Sequence, residues 1–116
     1  MTRTTCLGFP RMGRRRELKR ALETYWRDGN ATALLDTARD LRARHWNLAR
    51  DAGVDSVPVN DFSLYDHVLD TAVLFDAVPE RYRALLAADP LAGYFAMARG
   101  GDGLHALEMT KWFDTN

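Results

Sequence analysis

Cysteine is almost missing from this 116-residue chain: Cys6 is the single example. One thiol makes no intrachain disulfide and supplies no cysteine-rich zinc site, which suits a reducing compartment. Lysine is nearly as scarce, with Lys19 and Lys111 the only two. No apolar run approaches the roughly 20 residues of a membrane span, and the opening Met1-Thr-Arg-Thr-Thr-Cys-Leu-Gly has no secretory apolar core. Glu17, Glu23 and an ordered apolar face argue against reading the arginine-rich start as an organellar leader. A cytoplasmic location without membrane attachment is the expectation. The histidines, His45, His67 and His105, fall in no His-x-x-x-His or Glu-x-x-His spacing, so these residues are expected to bind no metal. Ser56 and Ser63 lack the Gly-x-Ser-x-Gly elbow of a serine nucleophile. The glycines at 100, 101 and 103 lack the lysine and hydroxyl of a phosphate loop.

Charge is balanced overall, with sixteen basic and sixteen acidic residues, but it is unevenly placed. Residues 1–27 hold eight basic and two acidic groups, a net of +6, and the remainder carries −6. The positive end creates a local field that attracts anions. Arg16, Lys19 and Arg20 follow the i, i+3, i+4 spacing of one helix side, and Arg14, Arg15 and Arg16 stand where that helix should begin. Unpaired N–H groups and the helix dipole at such an end combine with arginine forks to receive an anion. Two readings stand at this point: a solvated basic face paired with Glu17, Glu23 and other carboxylates, or an anion receptor. Nucleic acid is disfavoured, because Tyr25 and Trp26 belong to the apolar helix face and the rest of the chain is acidic. Lys111 stands among Glu108, Trp112, Phe113 and Asp114, either as a specific anion contact or as a snorkelling surface group.

Periodicity predicts mostly helix. Leu18, Ala21, Leu22, Tyr25 and Trp26 recur at steps of three and four, predicting an amphipathic helix over 14–27 that stops at Gly29. Asn30 should cap a second helix with Leu34, Leu35, Ala38, Leu41, His45 and Leu48 on its stripe, ending at Gly53. So short a link predicts an antiparallel helical hairpin. Asp36 and Asp40 lie within pairing distance of the arginines at 39, 42 and 44. A further helix is expected over 65–77, and two more starting near Pro79 and at Asp89-Pro90, where Asp89 caps and Pro90 leads. Thr4 to Phe9 and Ser56 to Val59 read as short strands, with Asn60 to Ser63 as the turn beyond the second. His105 to Met109 reads as a strand or a short turn. The fold class expected is therefore α/β and helix-rich. Its few strands make only part of a sheet, whose open edges call for more chain.

Four blocks carry a resemblance to a known family. Gly8-Phe9-Pro10-Arg11-Met12-Gly13 followed by Arg16-Glu17-Leu18-Lys19 resembles the amino-terminal signature of the cobalamin-independent methionine synthases. The resemblance continues through Asn60-Asp61-Phe62-Ser63-Leu64-Tyr65-Asp66-His67-Val68-Leu69-Asp70, Tyr94-Phe95-Ala96-Met97-Ala98-Arg99-Gly100 and Glu108-Met109-Thr110-Lys111-Trp112-Phe113-Asp114-Thr115-Asn116. Those enzymes move a methyl group from 5-methyltetrahydropteroyl-polyglutamate to homocysteine, making methionine. They are built from two (β/α)8 TIM barrels, and a catalytic zinc sits in the carboxyl-terminal one. A complete barrel of that kind needs roughly 250 residues.

The resemblance thus implies that residues 1–116 form a single partial domain, an incomplete TIM-barrel fragment with a helical hairpin after its first strand. It implies that the zinc barrel is absent and that this segment binds no zinc and holds no catalytic residue. Arg16, Glu17, Leu18 and Lys19 match the family's folate-contacting segment, and Lys111 its later folate-contacting lysine. Arg16, Lys19 and Lys111 would meet the tail carboxylates. Leu18 would pack the helix, and Glu17 would orient a neighbouring arginine or act through its backbone. The expected partners are 5-methyltetrahydropteroyl-polyglutamate and the rest of the two-barrel enzyme, in cis or as a separate chain, with the segment inactive alone. The competing reading is a stand-alone, non-catalytic module that binds folate or another anion, or docks an acidic partner.

Overall fold

The computed structural model describes residues 1–101 and 103–107, and among these described residues five helices account for all the regular secondary structure. They are α1 (Glu17–Asp28), α2 (Ala31–Asp51), α3 (His67–Leu74), α4 (Glu80–Ala88) and α5 (Pro90–Arg99). By internal contacts the chain divides into two compact units, the first Met1–Leu64 and the second starting at Tyr65.

In the first unit, α1 and α2 pack on each other across a two-residue link. Gly29 ends α1 with φ +70°, the left-handed geometry that suits glycine, and its N–H returns to the Tyr25 carbonyl. Asn30 then caps α2 by accepting from the Ala33 N–H at 3.1 Å. The apolar stripes meet as their spacing requires: Leu18, Leu22, Leu34, Ala38 and Leu41 are buried. Leu35 and Leu48, at the edge of the α2 stripe, remain exposed.

The expected α/β barrel fragment is not what the chain forms: among the described residues there is no β-strand, so no sheet exists for a barrel to close. The two segments read as strands meet only in one isolated parallel bridge, Thr5 to Ser56. Physical reasons are local. Pro10 and Pro58 have no N–H to give to a ladder. Gly8 has φ +113°, far from extended backbone. Side chains take some of the backbone groups: Asp55 accepts from the Thr4 N–H at 2.7 Å, Asp61 from the Phe9 N–H at 3.0 Å, and the Trp46 indole donates to the Pro58 carbonyl at 3.1 Å. Neither segment is buried, and Leu7 and Val59 stand exposed, so the β-branched and apolar composition marked a close backbone approach rather than a sheet.

The Asp55 and Asp61 bonds join two stretches that lie 51 and 52 residues apart. A Cβ at Gly8 would overlap the Asp61 side chain, so only glycine lets the two backbones approach this closely. Arg11 donates from Nη1 to the carbonyls of Ser63 (3.3 Å) and Leu64 (2.6 Å). Phe9 stacks on His45 of α2 with ring centroids 4.8 Å apart, and Arg42 of α2 lies over the Phe62 ring.

In the second unit, Asp66 caps α3 by accepting from the Leu69 N–H at 2.8 Å. Helix α3 is shorter than the expected 65–77. The Tyr94 hydroxyl accepts from the N–H groups of Tyr65 and Asp66, each at 3.1 Å, which fixes the chain just before that cap. Asp89 caps α5 as expected, accepting from the Ala92 N–H with Pro90 in the first helical position. Gly93 lets α4 and α5 touch, since a Cβ there would stand 2.6 Å from the Leu86 Cα. Tyr82 is fully buried and its hydroxyl donates to the His105 carbonyl. Residues 105–107 take no regular structure. Lys111, the rest of the block from residue 108 onward, and Asp102 lie outside the described residues.

The Gly8–Asp61 approach makes a quantitative prediction. Gly8→Ala should destabilise the chain by about 2–4 kcal/mol, because positive φ and an overlap with Asp61 add. Gly53→Ala, at φ +84° with nothing within 4 Å, should cost only about 1–2 kcal/mol. Urea unfolding of the two variants checks the difference, and equal losses would contradict it.

Candidate anion-binding site

The basic cluster is presented by the turn that leads into α1. Gly13 accepts from the Arg16 N–H at 3.1 Å, and Met12 accepts from the Leu18 N–H at 3.1 Å, so the chain curls tightly before the helix begins. The helix starts at Glu17 rather than at residue 14, which leaves Arg14 and Arg15 on the turn and Arg16 as N-cap. Arg16 adopts φ 58°, ψ 37°, left-handed geometry that a non-glycine residue enters at a cost of roughly 1–2 kcal/mol. Backbone strain of this kind concentrates at functional sites.

Arg14, Arg15, Arg16, Lys19 and Arg20 are exposed. Among the described residues no carboxylate pairs with the side chains of Arg14, Arg15 or Arg16. Lys19 meets Glu23 at 3.7 Å in a well-exposed i,i+4 pair, which is too weak to withhold its charge from a ligand. Arg20 donates to the Arg15 carbonyl at 3.1 Å and so braces the turn.

Glu17 is the negative charge in this cluster, and the structure directs it inward. Its Oε1 accepts from Arg44 Nη1 at 3.0 Å, and its Oε2 accepts from the Arg15 N–H at 2.9 Å. Hydrogen bonding to its own backbone N–H, then to Arg44 and to the Arg15 N–H, lowers its pKa from 4.5 to about 2. Leu18 is fully buried against the hairpin. Of the residues singled out by resemblance, Arg16, Glu17, Leu18 and Lys19 thus share one turn with distinct roles: two outward cations, an inward carboxylate and a core anchor.

Sequence reasoning missed Arg44, because the pair with Glu17 spans 27 positions and two helices. The only available signal was its place on α2 at the flank of the apolar stripe, three residues after Leu41. Beside the turn lies an open groove of about 890 Å³, lined in part by Arg14, Arg15 and Arg44, by the carboxylates Glu17 and Asp51, and by Phe9 and His45. No group of three or more His, Cys, Asp or Glu among the described residues is placed to hold a metal ion. No helix among them is long and apolar enough to cross a membrane.

Two outcomes follow from this geometry. The folded Glu17 pKa lies below its unfolded value, so the stability it contributes is fully present above about pH 4.5 and is lost as pH falls toward 2. Glu17→Gln should flatten the acid limb of the stability profile in that window, which urea midpoints from pH 6 to pH 2.5 would show; an unchanged slope would contradict the pairing. Arg16→Gly should relieve the left-handed strain and raise stability by up to about 1 kcal/mol. A lower thermal midpoint would show that the arginine side chain, not the backbone, governs this position.

Residues 3–116 match the family described as cobalamin-independent synthase, N-terminal domain. The chain is 73% identical over its whole length to the 5-methyltetrahydropteroyltriglutamate–homocysteine methyltransferase of Xylella fastidiosa strain M23, of which it covers 16%. It is 58% identical to the protein of the same name from Streptomyces coelicolor, with 98% of this chain and 15% of that one aligned. The corresponding protein of Parvibaculum lavamentivorans is 59% identical, with 100% of this chain and 16% of that one aligned. The chain therefore spans about 16% of the length of such curated relatives. A match over nearly every residue shows that the chain belongs to the cobalamin-independent synthase family, within its N-terminal domain.

Proposed function

We propose that this segment receives the polyglutamate tail of 5-methyltetrahydropteroyl-polyglutamate in an enzyme that transfers the folate's methyl group to homocysteine, forming methionine. The observation that carries the reading is the exposed cationic turn at the start of α1, whose one internal carboxylate, Glu17, is already bound by Arg44 and the Arg15 N–H. A polyglutamate tail is a string of carboxylates, and arginine forks recognise such groups in charge-assisted pairs. Arg16 and Lys19 supply charge, Leu18 anchors their helix in the core, and Glu17 shapes the turn. Lys111 is proposed as a further carboxylate contact on the strength of the sequence resemblance.

The methyl-transfer chemistry belongs to the rest of the enzyme, joined in cis or as a separate chain. The zinc implied by the family keeps homocysteine as a thiolate when bound. The described residues do not fit that metal: Cys6 is their single thiol, and no three candidate ligands converge. The 116-residue chain alone is accordingly proposed to be inactive in methyl transfer.

The test uses the whole enzyme that contains this segment, titrated with methylfolates bearing one or three glutamates. Arg16→Glu with Lys19→Glu should lower affinity for the triglutamate roughly tenfold to a hundredfold, at about 1.5–3 kcal/mol for contacts to charged groups. Affinity for the monoglutamate should change far less. Equal loss for both ligands, or none for either, would overturn the reading.

A further inference from the structure

We infer that Arg44, on α2, is a positioning residue for the proposed tail site, binding Glu17 and compensating its charge so that the turn before α1 remains cationic toward the ligand. The inference rests on the tail-binding reading above and concerns a residue outside the sequence block that suggested it.

Glu17 follows Arg16 directly and lies two positions before Lys19. A carboxylate there has two unfavourable alternatives. Left unpaired, it repels incoming carboxylates at short range. Paired with Arg16, it occupies the guanidinium that the tail would meet. The structure shows a third arrangement, in which one oxygen is bound by the Arg44 guanidinium at 3.0 Å and the other by the Arg15 N–H at 2.9 Å. Both oxygens are thereby committed to the hairpin and the turn.

Arg44 is placed for this by the packing of α1 on α2. Leu18, the residue after Glu17, is buried together with Leu41, one turn before Arg44 on α2. Gly13 contributes as well: a Cβ there would overlap Glu17 and stand 2.8 Å from Leu41 Cδ2, so the turn closes onto the carboxylate only with glycine at that position. The Glu17 side chain is 22% exposed and that of Arg44 56% exposed, so the carboxylate is the more sheltered partner and the arginine approaches it from the solvent side. The bond from Glu17 to the Arg15 N–H spans the residue whose backbone is left-handed, Arg16, and so braces the strained conformation.

A charge-compensation role predicts a specific rescue. In the whole enzyme, the affinity gain between mono- and triglutamate methylfolate is measured by calorimetry for wild type, Arg44→Met, Glu17→Gln and the double variant. Arg44→Met should reduce the gain about three- to tenfold, as an uncompensated carboxylate and a loosened turn imply, with monoglutamate affinity nearly unchanged. Adding Glu17→Gln should restore it to within about twofold of Glu17→Gln alone, because the amide still accepts from the Arg15 N–H and carries no charge. Arg44→Lys, which keeps the charge, should retain most of the gain and serves if Arg44→Met fails to fold. A loss that persists in the double variant, or no loss in Arg44→Met, overturns this role while leaving the tail site standing. A wild-type enzyme that does not distinguish the two tails overturns both.

Discussion

The Asp61 carboxylate binding the Phe9 N–H is the constraint on which the first unit's architecture depends. It brings a loop at one end of the unit against a loop some fifty residues later, and it does so only because residue 8 has no side chain. Once Phe9 is held, its ring stacks on His45, and Arg11 reaches the carbonyls of Ser63 and Leu64. Met12 and Gly13 are then left in place to accept the N–H groups of Leu18 and Arg16. The start of α1 is therefore built from both ends, by the hairpin core beneath Leu18 and by the clamp at Asp61. A cationic turn held in this way loses little conformational entropy when it binds a ligand.

The electrostatics follow the same pattern. Arginines at a helix N-terminus oppose the dipole, and a glutamate in the first turn offsets part of that cost. Glu17 does so while accepting from an interhelical guanidinium and a backbone N–H, so its charge stabilises the turn without occupying the outward face. Left-handed backbone at Arg16 sets strain at the residue whose side chain is proposed to meet the ligand. That placement agrees with a site whose local geometry answers to binding more than to stability.

Helices were legible in the sequence because their signals are local. Asn30, Asp66 and Asp89 accept capping bonds, and the apolar steps of α1 and α2 point into a shared core. The absence of strands among the described residues was not legible, for a physical reason. Thr4–Phe9 and Ser56–Val59 have strand-like composition, but a strand is defined by its partner, and here side chains of Asp55, Asp61 and Trp46 took some of the backbone groups that a ladder would need. The cationic half of the candidate site could be read from the spacing of Arg16 and Lys19. Its other half, Arg44, could not, because nothing in a one-dimensional pattern ties residue 17 to residue 44. Gly8 and Asp61 fall within two of the blocks that carried the family resemblance, and the structure supplies the reason those blocks belong together.

The most direct test of the central claim is a crystal structure of the whole enzyme with a triglutamate methylfolate bound. The account requires tail carboxylates within hydrogen-bonding distance of Arg16 and Lys19, with Glu17 still paired to Arg44. A tail lying elsewhere, or Glu17 swung out to pair with Lys19 in the complex, would contradict it.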